Sequence, residues 1–145
     1  MSRKTTTPAF NLIDTGPLVA LLNRNDPSHS RAAEVLQKLP KRPLLTTCQC
    51  LTEAMYLLHR AGGHDAQEEL WEWIIDGLLQ TYELTDADER RARELMKRYA
   101  DTPMDYADAS LVATAESLNL RRIFTFDGDF YIYRLADGSM LEVIR

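Results

Sequence analysis

The sequence predicts an α/β domain with a mainly parallel central sheet, on three observations. Short apolar runs typical of buried strands alternate with longer segments in which apolar residues recur at helical spacing. Acidic residues stand directly after two of those runs. The composition, with 45% hydrophobic and 27% charged residues, is that of a globular protein. A chain of 145 residues is long enough for a sizeable core, so a single domain over residues 1–145 is expected.

The first half of the chain predicts two strands and four helices. Residues 10–13 form an apolar run that ends at Asp14 and a turn, as a buried strand would. The further elements are a helix beginning within residues 17–22, a helix with Ala32, Val35, Leu36 and Leu39 on its inner face and Ser28 or Ser30 as its cap, a strand at residues 44–47, and helices at about residues 49–60 and 65–78. Gly62 and Gly63 separate the last two, because glycine readily ends a helix.

The second half predicts three strands and two helices. Residues 79–84 contain a brief strand, and Thr85 or Asp86 caps the helix that follows. The remaining elements are a helix of small residues at about residues 106–118, a strand at residues 122–126 that ends at Asp127, and a last strand at residues 141–144.

No segment of the sequence predicts export or a membrane span. The longest unbroken apolar stretch, residues 18–22, is far too short to cross a bilayer. Residues 1–8 are polar and basic, and no apolar signal core follows them. We therefore expect a cytoplasmic protein with no membrane partner.

The net charge of −5 argues against a nucleic-acid partner, since such proteins are usually basic. Metal binding weakens this objection: four carboxylates neutralised by two divalent cations would bring the net charge to about −1. Local basic clusters would then attract phosphate, or they are simply solvated faces. These clusters are Arg90, Arg91 and Arg93; Lys97 and Arg98; and Arg121 and Arg122.

Five acids are predicted to meet at one edge of the sheet. Ligands bind at the carboxyl ends of the strands in an open parallel sheet, and Asp14 and Asp127 each end a strand. Glu53 lies in the first turns of the helix after the second strand, at the same edge. Asp105 and Asp108 lie around the start of a later helix, and their spacing puts them on one side if Asp105 belongs to the first turn.

Converging carboxylates predict a metal site. Two unit charges about 4 Å apart repel by roughly 4 kcal/mol at an effective dielectric near 20, and the nearby sequence supplies no matching set of lysines. Oxygen ligands select hard cations such as Mg²⁺ or Mn²⁺, which activate water and stabilise the leaving oxygen in phosphodiester cleavage. Taken singly, each acid also suits an ordinary role as a helix cap, a solvated position or a turn residue. Their joint placement is what those roles leave unexplained.

Four segments carry a resemblance to a known family. They are LIDTGPLVALL at residues 12–22, LTEAMYLL at residues 51–58, MDYADASLVATAE at residues 104–116 and FTFDGDF at residues 124–130. In this order, over almost the whole chain, they resemble the PIN-domain family, and especially its VapC-like toxin ribonucleases. The resemblance implies a three-layer α/β/α sandwich, an Mg²⁺ or Mn²⁺ site, and hydrolysis of RNA to a 5′-phosphate and a 3′-hydroxyl.

The resemblance also implies roles for individual residues and partners. Asp14, Glu53 and Asp108 match the family's first three acids, Asp127 matches its more variable fourth, and Asp105 resembles an additional metal ligand of some relatives. All but Asp105 are implied to be catalytic as well as metal-binding. Thr15 and Thr125 are implied to support the carboxylates or a water on the metal. The implied partners are an RNA substrate, a second copy of the chain in a homodimer, and a cognate antitoxin.

Other readings of the same residues fit less well. Asp14-Thr15-Gly16 matches the aspartic-protease triplet, but that chemistry needs a β-rich fold. A phosphoacceptor receiver needs an acidic pair after the first strand, and a haloacid-dehalogenase-like phosphatase needs an aspartate where Gly16 stands. The alternative that stays open is a catalytically weak PIN module that binds RNA or a protein partner.

Overall fold

Five short strands and five α-helices follow one another along residues 9–145, the part of the chain that this computed structural model describes. The expectation that residues 1–8 carry no export signal lies outside the described residues. In chain order the elements are β1 (Asn11–Ile13), α1 (Thr15–Leu22), α2 (His29–Lys38), β2 (Leu44–Thr47), α3 (Cys48–Ile75), β3 (Leu79–Tyr82), α4 (Asp86–Arg98), α5 (Tyr106–Leu118), β4 (Arg122–Phe124), a 3₁₀ helix (Gly128–Tyr131) and β5 (Glu142–Ile144). No helix among them combines the length and apolar composition that crossing a membrane requires.

The five strands form one sheet in the order β3-β2-β1-β4-β5, and all neighbours run parallel. The prediction of a mainly parallel sheet is confirmed. The chain adds strands on one side of β1 and then crosses to the other side, where Leu12 pairs with Ile123 and Ile13 with Phe124. Such a reversal opens a crevice at the carboxyl ends of the two central strands. The fold therefore places the ends of β1 and β4 side by side.

Two apolar cores lie on opposite faces of the sheet. Because successive strand residues point to opposite faces, Leu12 and Ile123 pack with α4 and α5, whereas Ile13 and Phe124 pack with α1, α2 and α3. Both cores contain fully buried side chains, such as Leu111 on the first face. Helices on both faces of a parallel sheet make the α/β/α sandwich that the family resemblance implied.

Several local features differ from the prediction, and the strand predicted at residues 122–126 ends at Phe124, three residues before Asp127. The helices predicted on either side of the glycine pair meet directly at Gly63, whose φ of 67° and ψ of −153° break the long helix α3. Glycine suits that position because it has no Cβ to clash in the left-handed region. Ser28 is the N-cap of α2, as predicted, but its side chain makes no capping hydrogen bond. The 3₁₀ helix after Asp127 was not predicted.

Candidate functional site

Asp14 and Asp127 are joined by the hydroxyl of Thr125. Asp14 follows β1 and caps α1, with its Oδ1 accepting a hydrogen bond from the Thr15 N–H at 2.7 Å. Its Oδ2 accepts from the Thr125 hydroxyl at 2.8 Å, and that same hydroxyl accepts from the Asp127 N–H at 3.0 Å. Since Thr125 follows β4, the pairing of β1 with β4 builds this arrangement. Asp14 is only 8% exposed.

Asp105 and Asp108 form a reciprocal capping box at the start of α5. The Asp105 Oδ1 accepts from the Asp108 N–H at 2.8 Å, and the Asp108 Oδ2 accepts from the Asp105 N–H at 3.4 Å. Asp105 is the N-cap with extended backbone, so the pair meets by capping and not by sharing a helical turn. Asp108 is 8% exposed, and the Tyr133 hydroxyl donates to its Oδ2 at 3.1 Å.

Glu53 lies on the exposed side of α3, between two and three turns below the break at Gly63. Burial raises the pKa of its carboxyl, and the charges of Asp105 and then Asp14 raise it further. Glu53 is therefore close enough to sense both of the other acids. Its exposure leaves it free to move toward a ligand.

Three of the acids, Asp14, Glu53 and Asp108, have raised pKa values, through burial first and through neighbouring carboxylates second. Burial raises the pKa of Asp14 despite the hydrogen bonds it accepts, and the charges of Asp127 and Asp105 add to this effect. Burial also raises the pKa of Asp108, to about 7, with the charges of Asp105, Asp14 and Asp127 adding to the shift. A cluster of carboxylates in which one retains a proton near neutral pH marks a functional-site candidate.

The donor set fits a hard divalent cation held by few protein ligands. Every acid in the cluster offers carboxylate oxygen, the donor that Mg²⁺ and Mn²⁺ prefer. Across residues 9–145, no three acidic, histidine or cysteine side chains stand close enough to cage a metal ion between them. Mg²⁺ usually keeps several waters and binds through one or two carboxylates, so pairs of these acids would suffice to hold it.

Several of the predicted basic candidates for phosphate contacts are engaged elsewhere. Arg91 pairs with Glu116 at 2.9 Å. Arg121 pairs with Asp137 at 3.0 Å and Arg122 with Glu142 at 3.4 Å. Two of the remaining candidates, Arg90 and Arg93, are exposed on α4. Arg91, Arg121 and Arg122 are therefore the poorest candidates for contacts with RNA phosphates.

Sequence reasoning found Thr125 and missed Tyr133. The Thr125 hydroxyl supports Asp14 as the family resemblance implied, whereas the Thr15 hydroxyl donates to the Cys50 carbonyl at 3.4 Å and leaves only its N–H for Asp14. Tyr133 gave no sequence signal, since nothing in local spacing connects a phenol to a carboxylate 25 positions earlier. Cys50 is buried and its pKa is raised to about 11, so this thiol stays protonated below the site.

A family model described as PIN domain matches residues 12–136 of the chain. No curated protein matches the chain in sequence. The matched segment contains all five acids and Tyr133.

Solved structures share the fold at low sequence identity. VapC20 of Mycobacterium tuberculosis, described as a sarcin–ricin loop cleaving toxin, has a TM-score of 0.79 at 23% identity, covering 94% of this chain and 100% of that one. VapBC2 from Rickettsia felis, bound to a DNA fragment from its promoter, has a TM-score of 0.65 at 14% identity over 94% and 100% of the two chains. A toxin–antitoxin complex from Klebsiella pneumoniae has a TM-score of 0.63 at 18% identity over 83% and 89%.

Proposed function

Because the chain belongs to the PIN-domain family, we propose that it is a metal-dependent endoribonuclease that hydrolyses RNA phosphodiester bonds in the crevice at the ends of β1 and β4. The observation that carries this proposal is the group of acids around Asp108, whose pKa of about 7 reflects burial among other carboxylates. A divalent cation offsets that repulsion more simply than any side chain nearby.

The catalytic and metal-binding residues in this proposal are Asp14, Glu53, Asp108 and Asp127, with Asp105 as a further metal ligand. A bound Mg²⁺ or Mn²⁺ supplies Lewis-acid stabilisation of the phosphate and lowers the pKa of water. Asp14 is held for this task at both oxygens, by Thr125 and by a backbone N–H. Glu53 is exposed, so in this proposal it approaches the cation and the RNA from the solvent side.

Hydrogen bonds from the chain orient these carboxylates before any ligand arrives. Thr125 links the two aspartates, because its hydroxyl donates to the Asp14 carboxylate and accepts from the Asp127 backbone N–H. The reciprocal cap fixes Asp105 against Asp108. Such preorganisation keeps the geometry that in-line attack by water on phosphorus needs.

We also propose that the protein is the toxin of a toxin–antitoxin pair, acting as a homodimer that a cognate antitoxin silences. The support is the fold it shares with a toxin–antitoxin complex and with VapBC2. Exposed apolar side chains on or just after α3, among them Trp71, Ile75 and Leu78, suit protein contacts.

The first substrate to test follows from the similarity to a sarcin–ricin loop cleaving toxin. A labelled RNA hairpin with the sarcin–ricin loop sequence would be incubated with the full chain and Mg²⁺, Mn²⁺ or EDTA. The matched variants are Asp108→Asn and Asp76→Asn. Asp76 is an exposed carboxylate that precedes β3, at the opposite edge of the sheet.

We expect cation-dependent cutting by the parent and by Asp76→Asn, and a loss of at least about a hundredfold with Asp108→Asn. Equal cutting by all three proteins, or cutting that persists in EDTA, would contradict the site. If the parent binds Mn²⁺ and the hairpin but leaves the RNA whole, the alternative of a catalytically weak RNA-binding module gains the support. A panel of other structured RNAs then separates that alternative from a narrow target preference.

A further inference from the structure

Tyr133 reaches the acid cluster from the segment that follows the 3₁₀ helix. Its hydroxyl donates a hydrogen bond to the Asp108 Oδ2 at 3.1 Å, although 25 positions separate the two residues. Tyr133 is only 2% exposed, so its phenol lies inside the apolar core and contacts Asp108 from the buried side of the group of acids. A buried donor aimed at a clustered acid constrains how that acid can turn.

The ring of Tyr133 is fixed on two sides by other aromatic rings. It meets Tyr99 edge-on at a centroid distance of 5.1 Å and Phe130 at 5.2 Å. The backbone N–H of Tyr133 donates to the Asp129 carbonyl, which ties the segment to the turn after Asp127. The phenol oxygen therefore has little freedom to leave Asp108.

Tyr133 serves Asp108 as a donor, and this leaves one carboxylate oxygen available. The Tyr133 phenol O–H is the donor in this hydrogen bond and the Asp108 carboxylate is the acceptor. Both hydrogen bonds that the described residues give to the Asp108 side chain, from Tyr133 and from the Asp105 N–H, end on Oδ2. The Asp108 Oδ1 accepts neither of these hydrogen bonds and is left for another ligand.

We infer that Tyr133 is a positioning residue that holds the Asp108 carboxylate with Oδ1 presented to the divalent cation. The inference rests on the proposed metal-dependent function and adds a residue to it. Partners that orient a metal-binding carboxylate influence metal affinity about as strongly as some ligands do. Tyr133 does not touch the RNA or the reacting phosphate in this proposal.

The test compares Tyr133→Phe with Tyr99→Phe. Both changes remove one buried hydroxyl from the same aromatic group, but the Tyr99 hydroxyl accepts from the Arg134 N–H at 2.9 Å and is not bonded to a cluster acid. Mn²⁺ affinity of the full chain is measured by electron paramagnetic resonance at pH 8, without RNA. Cleavage of the hairpin is measured at low and at high Mn²⁺.

We expect Tyr133→Phe to weaken Mn²⁺ binding by roughly tenfold and Tyr99→Phe to leave it within twofold. Cleavage by Tyr133→Phe should fall through kcat at low Mn²⁺, recover at high Mn²⁺, and show an unchanged KM for RNA. Equal Mn²⁺ affinity of the two variants, with the parent active, would overturn the positioning role alone. A parent that neither binds Mn²⁺ nor cleaves would overturn the proposed function, and this inference with it.

Discussion

The starts of α4 and α5 carry the same capping motif in two different electrostatic settings. In each, the N-cap side chain accepts the N–H of the third helical residue, and that residue's carboxylate accepts the N-cap N–H. The third residue is Asp88 in α4 and Asp108 in α5, and they are 5% and 8% exposed. The capping geometry and the burial of the two acids are therefore closely matched, while the N-cap is a neutral Thr85 in α4 and an acidic Asp105 in α5.

The surroundings of Asp88 and Asp108 shift the pKa values of the two carboxyl groups in opposite directions. Burial alone would raise the pKa of Asp88, but donors from Ser117, Tyr82 and Thr85 outweigh it and the pKa is lowered. Burial raises the pKa of Asp108, and the neighbouring Asp105 and Asp14 add to that effect. A capping box thus places a buried acid, and the groups around it decide whether its charge is compensated by the protein or left for a ligand.

The largest expected difference between the two acids is in the pH dependence of stability without metal. For Asp108 the folded-state pKa is above the ordinary value of 3.8, so the folded state binds this proton more tightly than the unfolded state. Stability should therefore fall as the pH rises from about 4 to about 7, by at most roughly 4 kcal/mol from this group. Asp88 acts in the opposite sense. Because its pKa is lowered in the folded state, its contribution to stability is present above pH 3.8 and is lost as the pH falls below that value.

Urea unfolding in EDTA across pH 5 to 8 measures this slope, with Asp108→Asn as the matched variant. The variant should show a flatter profile than the parent. Adding Mg²⁺ should stabilise the parent more at pH 8 than at pH 5, because the cation replaces the proton. A parent whose stability falls no more steeply than the variant's between pH 5 and pH 8 would contradict the assignment of Asp108.

Replacing each of the two acids with asparagine should change the free energy of unfolding by an intermediate amount, and by a different amount at each position. Asp88→Asn weakens hydrogen bonds from Tyr82 and Ser117 to a charged acceptor, so we expect a loss of about 2 kcal/mol in the free energy of unfolding. Asp108→Asn removes the buried charge and its repulsion, so at pH 8 the metal-free variant should be at least as stable as the metal-free parent. Chemical denaturation at that pH compares them, and an equal loss in both variants would show that the capping motif alone sets their roles.

The smallest effect concerns Thr125, which gives the acid cluster one of its few neutral donors. Thr125→Val keeps the side-chain shape and removes the hydroxyl bonded to Asp14 and Asp127, so we expect about 1–2 kcal/mol of destabilisation and a severalfold weaker Mn²⁺ affinity. Thr114→Val is the control, because that buried hydroxyl donates only to the Ser110 carbonyl within its helix. Equal Mn²⁺ affinity in the two variants would remove Thr125 from the site.

Elements with strong local signals were predictable from the sequence. The strand at residues 44–47 and the helix at residues 106–118 have the predicted bounds, since an apolar run and a capped run of small residues each specify them. The edge of the sheet where the acids meet was also predictable, because parallel strands share a direction. Whether those acids bind metal remains a prediction.

The features that escaped prediction depend on contacts between distant segments. The 3₁₀ helix at Gly128–Tyr131 is a short turn with no periodicity to detect. The bond from Tyr133 to Asp108 depends on how that turn packs against α5. The opposite pKa shifts of Asp88 and Asp108 come in part from the N-caps Thr85 and Asp105 and in part from distant residues that the local sequences do not specify.

The hydrogen bond between Thr125 and Asp14 closes a loop of 111 positions. Chains leave the ribosome at about 5–20 residues per second, and early elements can fold while later ones are still being made. The first strand and its acid therefore exist for several seconds without the strand that completes their crevice. We expect the proposed nuclease to be harmless to nearby RNA until the segment that carries Thr125 and Asp127 has left the ribosome.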